Sequence, residues 1–319
     1  MEFVLSSREN VWGGGEVFLY DVSVELVGKG HALLWRIPKT SSLARKASNG
    51  RLISRSFPAP RGVVIANDFR SLWTSIVLDG IRVRIFVIHG TWQLSLIRAL
   101  VLRAFRVRVF CVNGALLARA NELGVKGALL LPLGPREVSK SSVRDPLVKS
   151  RVVDIVFGTI ARLDPVKRLE LFCSTVEALG ATGILVVPPA KTELERSVRD
   201  ELRSFRSIQV FDDGDAEHVW TTADVFLSTS VDESLGLAHI EALQRGIPVL
   251  TTARQGPTEF LTGPLASGLL PNDLIHNLST VSEALAKIDH SGAGYYVAAQ
   301  LTANSRGPRQ SVEFLLRNL

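Results

Sequence analysis

The stretch Ser228–Leu261, STSVDESLGLAHIEALQRGIPVLTTARQGPTEFL, leaves the chain few folds to choose from. TADVFLSTS closes just inside it, an apolar run opening into small hydroxyl residues, as a buried strand does at its end. LGLAHIEALQRG then places Leu237, Ile240, Ala242 and Leu243 at helical spacing, with Gly246 as the stop. IPVLTTA is the next apolar run. Strand, loop, helix and strand in so few residues form the half-unit of a parallel α/β sheet.

The same stretch holds two glutamates, Glu233 and Glu241, with seven residues between them and Gly236 in the interval. Gly236 stands where the helix begins, so backbone N–H groups there can point at an anion. Glu241 lies five residues on, about 7 Å along the axis. Glu233 sits on the other side, in the loop. A diphosphate over the helix end, with one sugar at Glu241 and another near Glu233, fits this spacing, and a nucleotide-sugar has that layout. Spacing alone favours a plainer reading, two acids on a solvated helix face.

At 319 residues the chain suits two domains of ordinary size. With 46% hydrophobic and 21% charged residues it is globular in composition rather than disordered. Cys111 and Cys173 match no zinc spacing and form no disulfide framework, which points to a reducing cytoplasm. MEFVLSSREN lacks the basic start and apolar run of a signal peptide. The nearest approach to a membrane span, QLSLIRALVLRAFRVRVF, is interrupted by Arg98, Arg103, Arg106 and Arg108. It reads as a core helix capped by surface arginines, with a membrane-docking helix as the competing reading. Residues 1–150 hold 22 Lys and Arg against 10 Asp and Glu, while residues 151–319 hold 15 against 21. The basic first half suits anionic lipid head groups or a phosphorylated acceptor. No nucleic-acid recognition motif accompanies the charge, so nucleic acid is not expected.

Taken in order, MEFVLSS reads as a strand, WGGGE as the first turn, EVFLYDVSVELVGKG as a helix ending at Gly28 or Gly30, and HALLWRI as a strand. Gly13, Gly14 and Gly15 thus fall in a strand-to-helix turn, where α/β sheets bind ligands. Helix SSLARKASNGRLIS, strand GVVIANDF, helix RSLWTSIVLDG, strand RVRIFVIHG, helix TWQLSLIRALVLRAF, strand RVRVFCVN, helix GALLARANELG and strand ALLLPLG follow. This alternation predicts a parallel sheet with helices on both faces. His89 ends a strand at its carboxyl edge, toward the crevice, and Asp68, which ends the preceding strand, is a weaker candidate for the acceptor side. PLGPREVSKSSVRDPLVKS has no periodicity and reads as a linker. VVDIVFGTIARLDPVKRLELFCSTVEALG opens the second domain, with Arg162 and Lys167 in its loop. TGILVVPP is a strand, KTELERSVRDELRSF a helix and SIQVF a strand. Asp213-Gly-Asp215 then either mimics a metal-binding D-x-D or forms an acidic turn before AEHVWTTA, and the turn is preferred. SGLLP reads as a short strand, NDLIHNLSTVSEALAKI as an amphipathic helix, and AAQLTANS and SVEFLLRNL as closing helices. His31, His218, His239, His276 and His290 read as structural.

ESLGLAHIEALQRGIPVLTT, with the later GPTEFL, resembles the E-x7-E signature of the retaining GT-B glycosyltransferases of family 4. ARLDPVK resembles the family's G-R-L-x-x-x-K stretch, although Gly158 is displaced from the arginine and Ala161 precedes it. Pro188 and Pro189 replace the glycine that often ends the next strand in relatives. The resemblance covers residues 152–261 strongly and 1–134 weakly but in order. It implies two Rossmann-like parallel-sheet domains facing across a cleft, an acceptor-side domain over 1–140 and a nucleotide-sugar domain over 141–300. Residues 301–319 would form a helix returning to the first domain.

For the residues, the resemblance implies that Arg162, Lys167 and the backbone of Ser234, Leu235, Gly236 and Leu237 hold the donor diphosphate. Glu241 takes the ribose, Glu233 the sugar hydroxyls, and His89 the transferred sugar, while Gly13–Gly15 line the donor side. No metal or other cofactor is implied. The partners implied are a nucleotide-sugar and a glycan or lipid-linked acceptor, in the cytoplasm or at the inner face of a membrane. A non-catalytic nucleotide-sugar-binding relative and a metal-dependent GT-A enzyme using Asp213 and Asp215 are the alternatives.

Overall fold

The computed structural model describes residues 1–8, 14–38, 41, 43–44, 62–78, 83–135, 151–212, 214–291 and 293–319. It divides into two compact units, Met1–Arg136 with Ser305–Leu319, and Glu137–Asn304.

The first unit runs β1 (Glu2–Ser6), α1 (Gly14–Gly28), β2 (Ala32–Arg36), β3 (Val63–Ala66), α2 (Phe69–Leu78), β4 (Val83–Ile88), α3 (Leu96–Ala104), β5 (Arg108–Cys111), α4 (Gly114–Glu122) and β6 (Leu129–Leu130). The strands form one sheet in the order β2-β1-β3-β4-β5-β6, every pairing parallel. β1 is the pivot, with Val4 beside Leu34 on one side and Val64 on the other. β3 is buried throughout, and β4 is buried from Ile85 to Ile88, which is why both read as apolar runs rather than alternations. The strand order reverses between β1 and β3, so ligands of such a sheet collect at their carboxyl ends.

The second unit runs β7 (Val156–Ile160), α5 (Leu169–Ala178), β8 (Thr182–Val186), α6 (Glu193–Leu202), β9 (Ile208–Phe211), α7 (Glu217–Thr222), β10 (Val225–Ser228), α8 (Leu237–Gln244), β11 (Val249–Thr251), α9 (Ser279–Ser291) and α10 (Ala293–Asn304). Its parallel sheet is ordered β11-β10-β7-β8-β9, and the reversal lies between β7 and β10. Gly158 is needed within β7 because α7 presses on it: a Cβ there would lie 2.4 Å from Ala223 Cβ and 2.7 Å from Val219 Cγ1. The chain closes with α11 (Pro308–Arg317), which belongs to the first unit and packs on α1. There Ser311 Oγ donates to Pro132 O at 2.9 Å, Arg108 donates to the Asn318 carbonyl, and Phe314 meets Phe110 edge to face. Among the described residues no helix is long and apolar enough to cross a membrane.

Four expectations are corrected. Gly14 and Gly15 lie in the first turn of α1, not in the turn before it. TWQLSLIRALVLRAF is not one helix: Thr91–Gln93 is a 3-10 turn, and α3 starts afresh with Ser95 capping Arg98 N. The break arises because Gln93 turns inward to bond the backbone of the strand end. SGLLP meets the sheet through a lone Thr251–Leu269 bridge, since Pro264 after left-handed Gly263 (φ 56°) starts a 3-10 turn, Gly263–Gly268. NDLIH is a separate 3-10 turn, and α9 begins only at Ser279, because Asn277 spends its side chain on Asp273 O and Oδ2. The helix read over SSLARKASNGRLIS lies outside the described residues apart from Ser41, Leu43 and Ala44.

Candidate functional site

The reversal point of the second sheet brings the loop after β7 against the loop after β10. A backbone bond and a hydroxyl fasten them first: Val231 N donates to Val166 O at 2.9 Å, and the Thr229 side-chain Oγ1 is shared between the carbonyls of Lys167 and Arg168. Arg168 then clamps them. Its backbone is left-handed (φ 47°), which swings the guanidinium onto Thr229 O (2.7 Å), Thr252 Oγ1 (2.7 Å) and Asn272 O (3.0 Å).

Lys167 and Glu233, 66 residues apart in sequence, meet as a result. Lys167 Nζ donates to Glu233 Oε1 at 2.6 Å, and Ser230 Oγ donates to the same oxygen at 2.9 Å. The two charged side chains are 15% and 18% exposed. Burial pushes the Glu233 carboxyl up, but the Lys167 charge and the hydrogen bonds from Lys167 and Ser230 outweigh it and hold the group below its ordinary pKa. Glu233 is therefore a charged acceptor, not a proton donor. Arg162 stays more than half exposed beside Asp164 at 3.7 Å, outside this cluster of bonds.

Above the pair begins α8. Gly236 is left-handed at φ 82° and, as the N-cap residue, brings no side chain to cap the helix, so its first turn presents backbone N–H groups. His239 is buried under it, with Nε2 at 3.2 Å from Thr251 Oγ1 and Nδ1 directly beneath Gly236. Burial holds this imidazole neutral, its pKa lowered to about 4, against the opposing pull of Glu233. Leu235 is core, Ser234 is exposed, Leu237 and Glu241 are half-buried. Gly256 packs on the Glu233 carbonyl and the Leu235 backbone, where a Cβ would lie 2.7 Å from each, and so fixes the loop.

The first unit gathers polar side chains at its own reversal point. Glu16, buried in the first turn of α1, accepts from Ser7 Oγ (3.3 Å) and Asn67 Nδ2 (3.4 Å). Gln93 Oε1 accepts from His89 N (2.6 Å) and Gly90 N (3.2 Å), and its Nε2 donates to Asn67 O (2.8 Å). His89 lies against Phe18, with a buried and unpartnered Nε2, and burial lowers its pKa to about 4. Gly15 serves packing, since a Cβ would lie 2.3 Å from Asn67 Nδ2. Asp68 is committed locally: it caps α2 through Ser71 N (2.8 Å) and holds Arg8 N (2.7 Å). Gly13 and Asp213 lie outside the described residues. Asp215 accepts from Glu217 N at 3.0 Å and so fixes the start of α7.

Sequence reasoning passes over Arg168, Ser230, Glu16 and Gln93, and reads His239 without its place under α8. Only Ser230, three residues before Glu233, carries a local signal.

Residues 154–286 match the family model described as Glycosyl transferases group 1. The solved structure of Alr3699/HepE from Anabaena, in complex with UDP and glucose, superposes with a TM-score of 0.74 over all of both chains at 17% identity. The fold is GT-B. The lipopolysaccharide outer core galactosyltransferase WaaB superposes at 0.68 over all of both chains with 12% identity. Sucrose-phosphate synthase from Thermosynechococcus elongatus superposes at 0.65 with 16% identity, over 98% of this chain and 94% of its own. A comparison with curated proteins finds no match. At these identities the likeness is one of GT-B fold.

Proposed function

We propose that the chain is a retaining, metal-independent glycosyltransferase that moves a hexose from a nucleotide-sugar, such as a UDP-sugar, to a hydroxyl of a glycan or lipid-linked acceptor. The observation that carries the reading is the Lys167–Glu233 contact at the sheet reversal point, below an uncapped helix start. The group 1 match over the same residues supports it, as does the solution of HepE with UDP and glucose.

In this reading the diphosphate settles on the N–H groups from Ser234 to Leu237. Lys167 turns from Glu233 toward the phosphates, and Arg162, more than half exposed, joins it. Glu233, released and still ionised, accepts hydrogen bonds from the sugar hydroxyls. Glu241 takes the ribose. Neutral His89 offers the transferred sugar a hydrogen-bonding nitrogen, and the glycines at the start of α1 serve the donor side. The acceptor hydroxyl attacks from the face the diphosphate leaves, and the departing phosphate takes its proton. The reaction belongs, in this reading, to the cytoplasm or to the inner face of a membrane.

Thermal unfolding with UDP, GDP and their hexose conjugates tests the donor half. Saturating donor at a hundred times its Kd stabilises by about 2.7 kcal/mol, so the right nucleotide raises Tm by several degrees. Lys167→Ala and Arg162→Ala should lose most of that rise while remaining folded. Donor hydrolysis and transfer in chelator then test the chemistry. Binding without any hydrolysis over hours makes the chain a non-catalytic relative, and loss of transfer in chelator removes the metal-independent reading.

A further inference from the structure

α3 is apolar on its outward side as well as its buried one. Ala99 and Leu102 are buried, whereas Leu96, Ile97 and Leu100 are 63%, 75% and 52% exposed. At 100° per residue these three and Ala104 form one outward stripe, where polar side chains normally sit. The neighbouring helix continues it. β3, β4 and β5 are adjacent in the sheet and joined by α2 and α3, so right-handed crossovers place both helices on one face. Trp73 of α2 meets Phe105 edge to face at 6.4 Å, and Arg98 lies 5.2 Å from the Phe69 ring, which ties the two helices together. Trp73, Val77, Trp92 and Phe105 are all exposed as well. The core reading of this segment is therefore wrong for one whole side of it.

The charge around the patch is one-sided. Residues 69–106 contain six arginines and a single acid, Asp79. Arg70, Arg103 and Arg106 are exposed and Arg98 is half-buried. Exposed Leu, Ile and two tryptophans ringed by guanidinium groups match a bilayer interface: alkyl groups below the head groups, indoles at their level, cations on the phosphates.

We propose that the α2–α3 face of the first unit docks on an anionic lipid bilayer. This gives the membrane contact suggested above a defined surface. Trp92 leans over Gly90, where a Cβ would lie 2.4 Å from its Nε1, so the docked face adjoins the His89 loop. The surface takes lipid whether or not the chain transfers a sugar.

Co-sedimentation with phosphatidylcholine vesicles, with and without phosphatidylglycerol, tests it. The wild-type chain should bind only the anionic vesicles, with its tryptophan emission moving to shorter wavelength, and salt should weaken binding. Ile97→Asp with Leu100→Ser should cut partitioning by at least about tenfold, and Arg70→Glu with Arg103→Glu, both exposed, should do the same. Both double variants should keep the wild-type Tm and the donor-induced rise in Tm, which separates this proposal from the donor reading. Wild-type chain that ignores anionic vesicles overturns the proposal, as do variants that bind them equally well. A wild-type dimer that Ile97→Asp makes monomeric, measured by light scattering, also overturns it and makes the face a self-interface.

Discussion

Arg168 shows how much of the site rests on a side chain that its neighbours in sequence do not announce. A non-glycine residue at φ 47° costs roughly 1–2 kcal/mol. The guanidinium offsets this through bonds to residues 61, 84 and 104 positions away. Hydrogen bonds from a charged donor contribute about 1.5–3 kcal/mol each when buried and less when wet. Arg168→Ala should therefore destabilise the second unit by about 2–3 kcal/mol, and Arg168→Gly by about 1 kcal/mol less, because glycine regains the left-handed backbone freely. Denaturant midpoints measure the order, and an alanine variant as stable as the glycine one contradicts it. Lys167 and Glu233 were legible because each belongs to a motif, but their clamp was not, because all its partners are remote. The pH response belongs here too. His239 and His89 are held neutral, with pKa values lowered to about 4 from 6.5. Between those values the unfolded chain binds more protons, so stability is full above pH 6.5 and falls as pH drops toward 4. The loss is at most about 3 kcal/mol per histidine. Below about 4.5, Glu233 adds a loss of its own, since its depressed pKa favours the folded state only while the carboxyl is ionised. Stability measured from pH 7.5 to 4 should show this slope, and His239→Gln should flatten it.

The helix α8 is where local sequence and fold agree best. Its periodicity, its glycine start and its stop at Gly246 could all be read, and the structure has Leu237–Gln244 between them. What could not be read is why Gly236 must be glycine. Two separate demands fall on it: a left-handed φ of 82°, and a His239 ring that would lie 2.7 Å from any Cβ. Gly236→Ala should thus cost about 2–4 kcal/mol, combining backbone strain with overpacking. Adding His239→Ala should recover the steric part only, leaving about 1–2 kcal/mol of backbone cost. Full recovery in the double variant argues that φ carries no penalty there, and no recovery argues that the ring does not press on the turn. The misread elements have a common physical origin. Gln93 ends the 3-10 turn of Thr91–Gln93 by bonding backbone on two strand ends, and Asn277 delays α9 by bonding Asp273. In both, a side-chain amide competes with the helix ladder, and an apolar periodicity continues through the break without registering it.

The two parallel sheets could be foreseen because each βα step is written within some thirty residues. The first unit, however, is not built from its own stretch of chain alone. Its last helix, α11, arrives from Ser305–Leu319 after the whole second unit has intervened, and lies on α1. Val312 and Leu315 are buried there, Lys29 stands 3.7 Å from Glu313, and Gly134 touches the Arg306 backbone. A short SVEFLLRNL motif with a few apolar positions is compatible with many docking places, so composition does not choose among them. The arrangement predicts an asymmetric response. Leu315→Ala leaves a cavity under α11 and should cost about 2–5 kcal/mol. Because α11 belongs to the first unit and packs on α1, hydrogen exchange should quicken in α1 and β5 while β7, β8 and β10 keep their protection. The second unit should also keep its donor-induced stabilisation, since Lys167, Glu233 and α8 all lie within it. If β7 and β10 lose protection to the same degree as α1, the units unfold as one cooperative body, and α11 is then a strut for the whole chain rather than the closing element of one sheet.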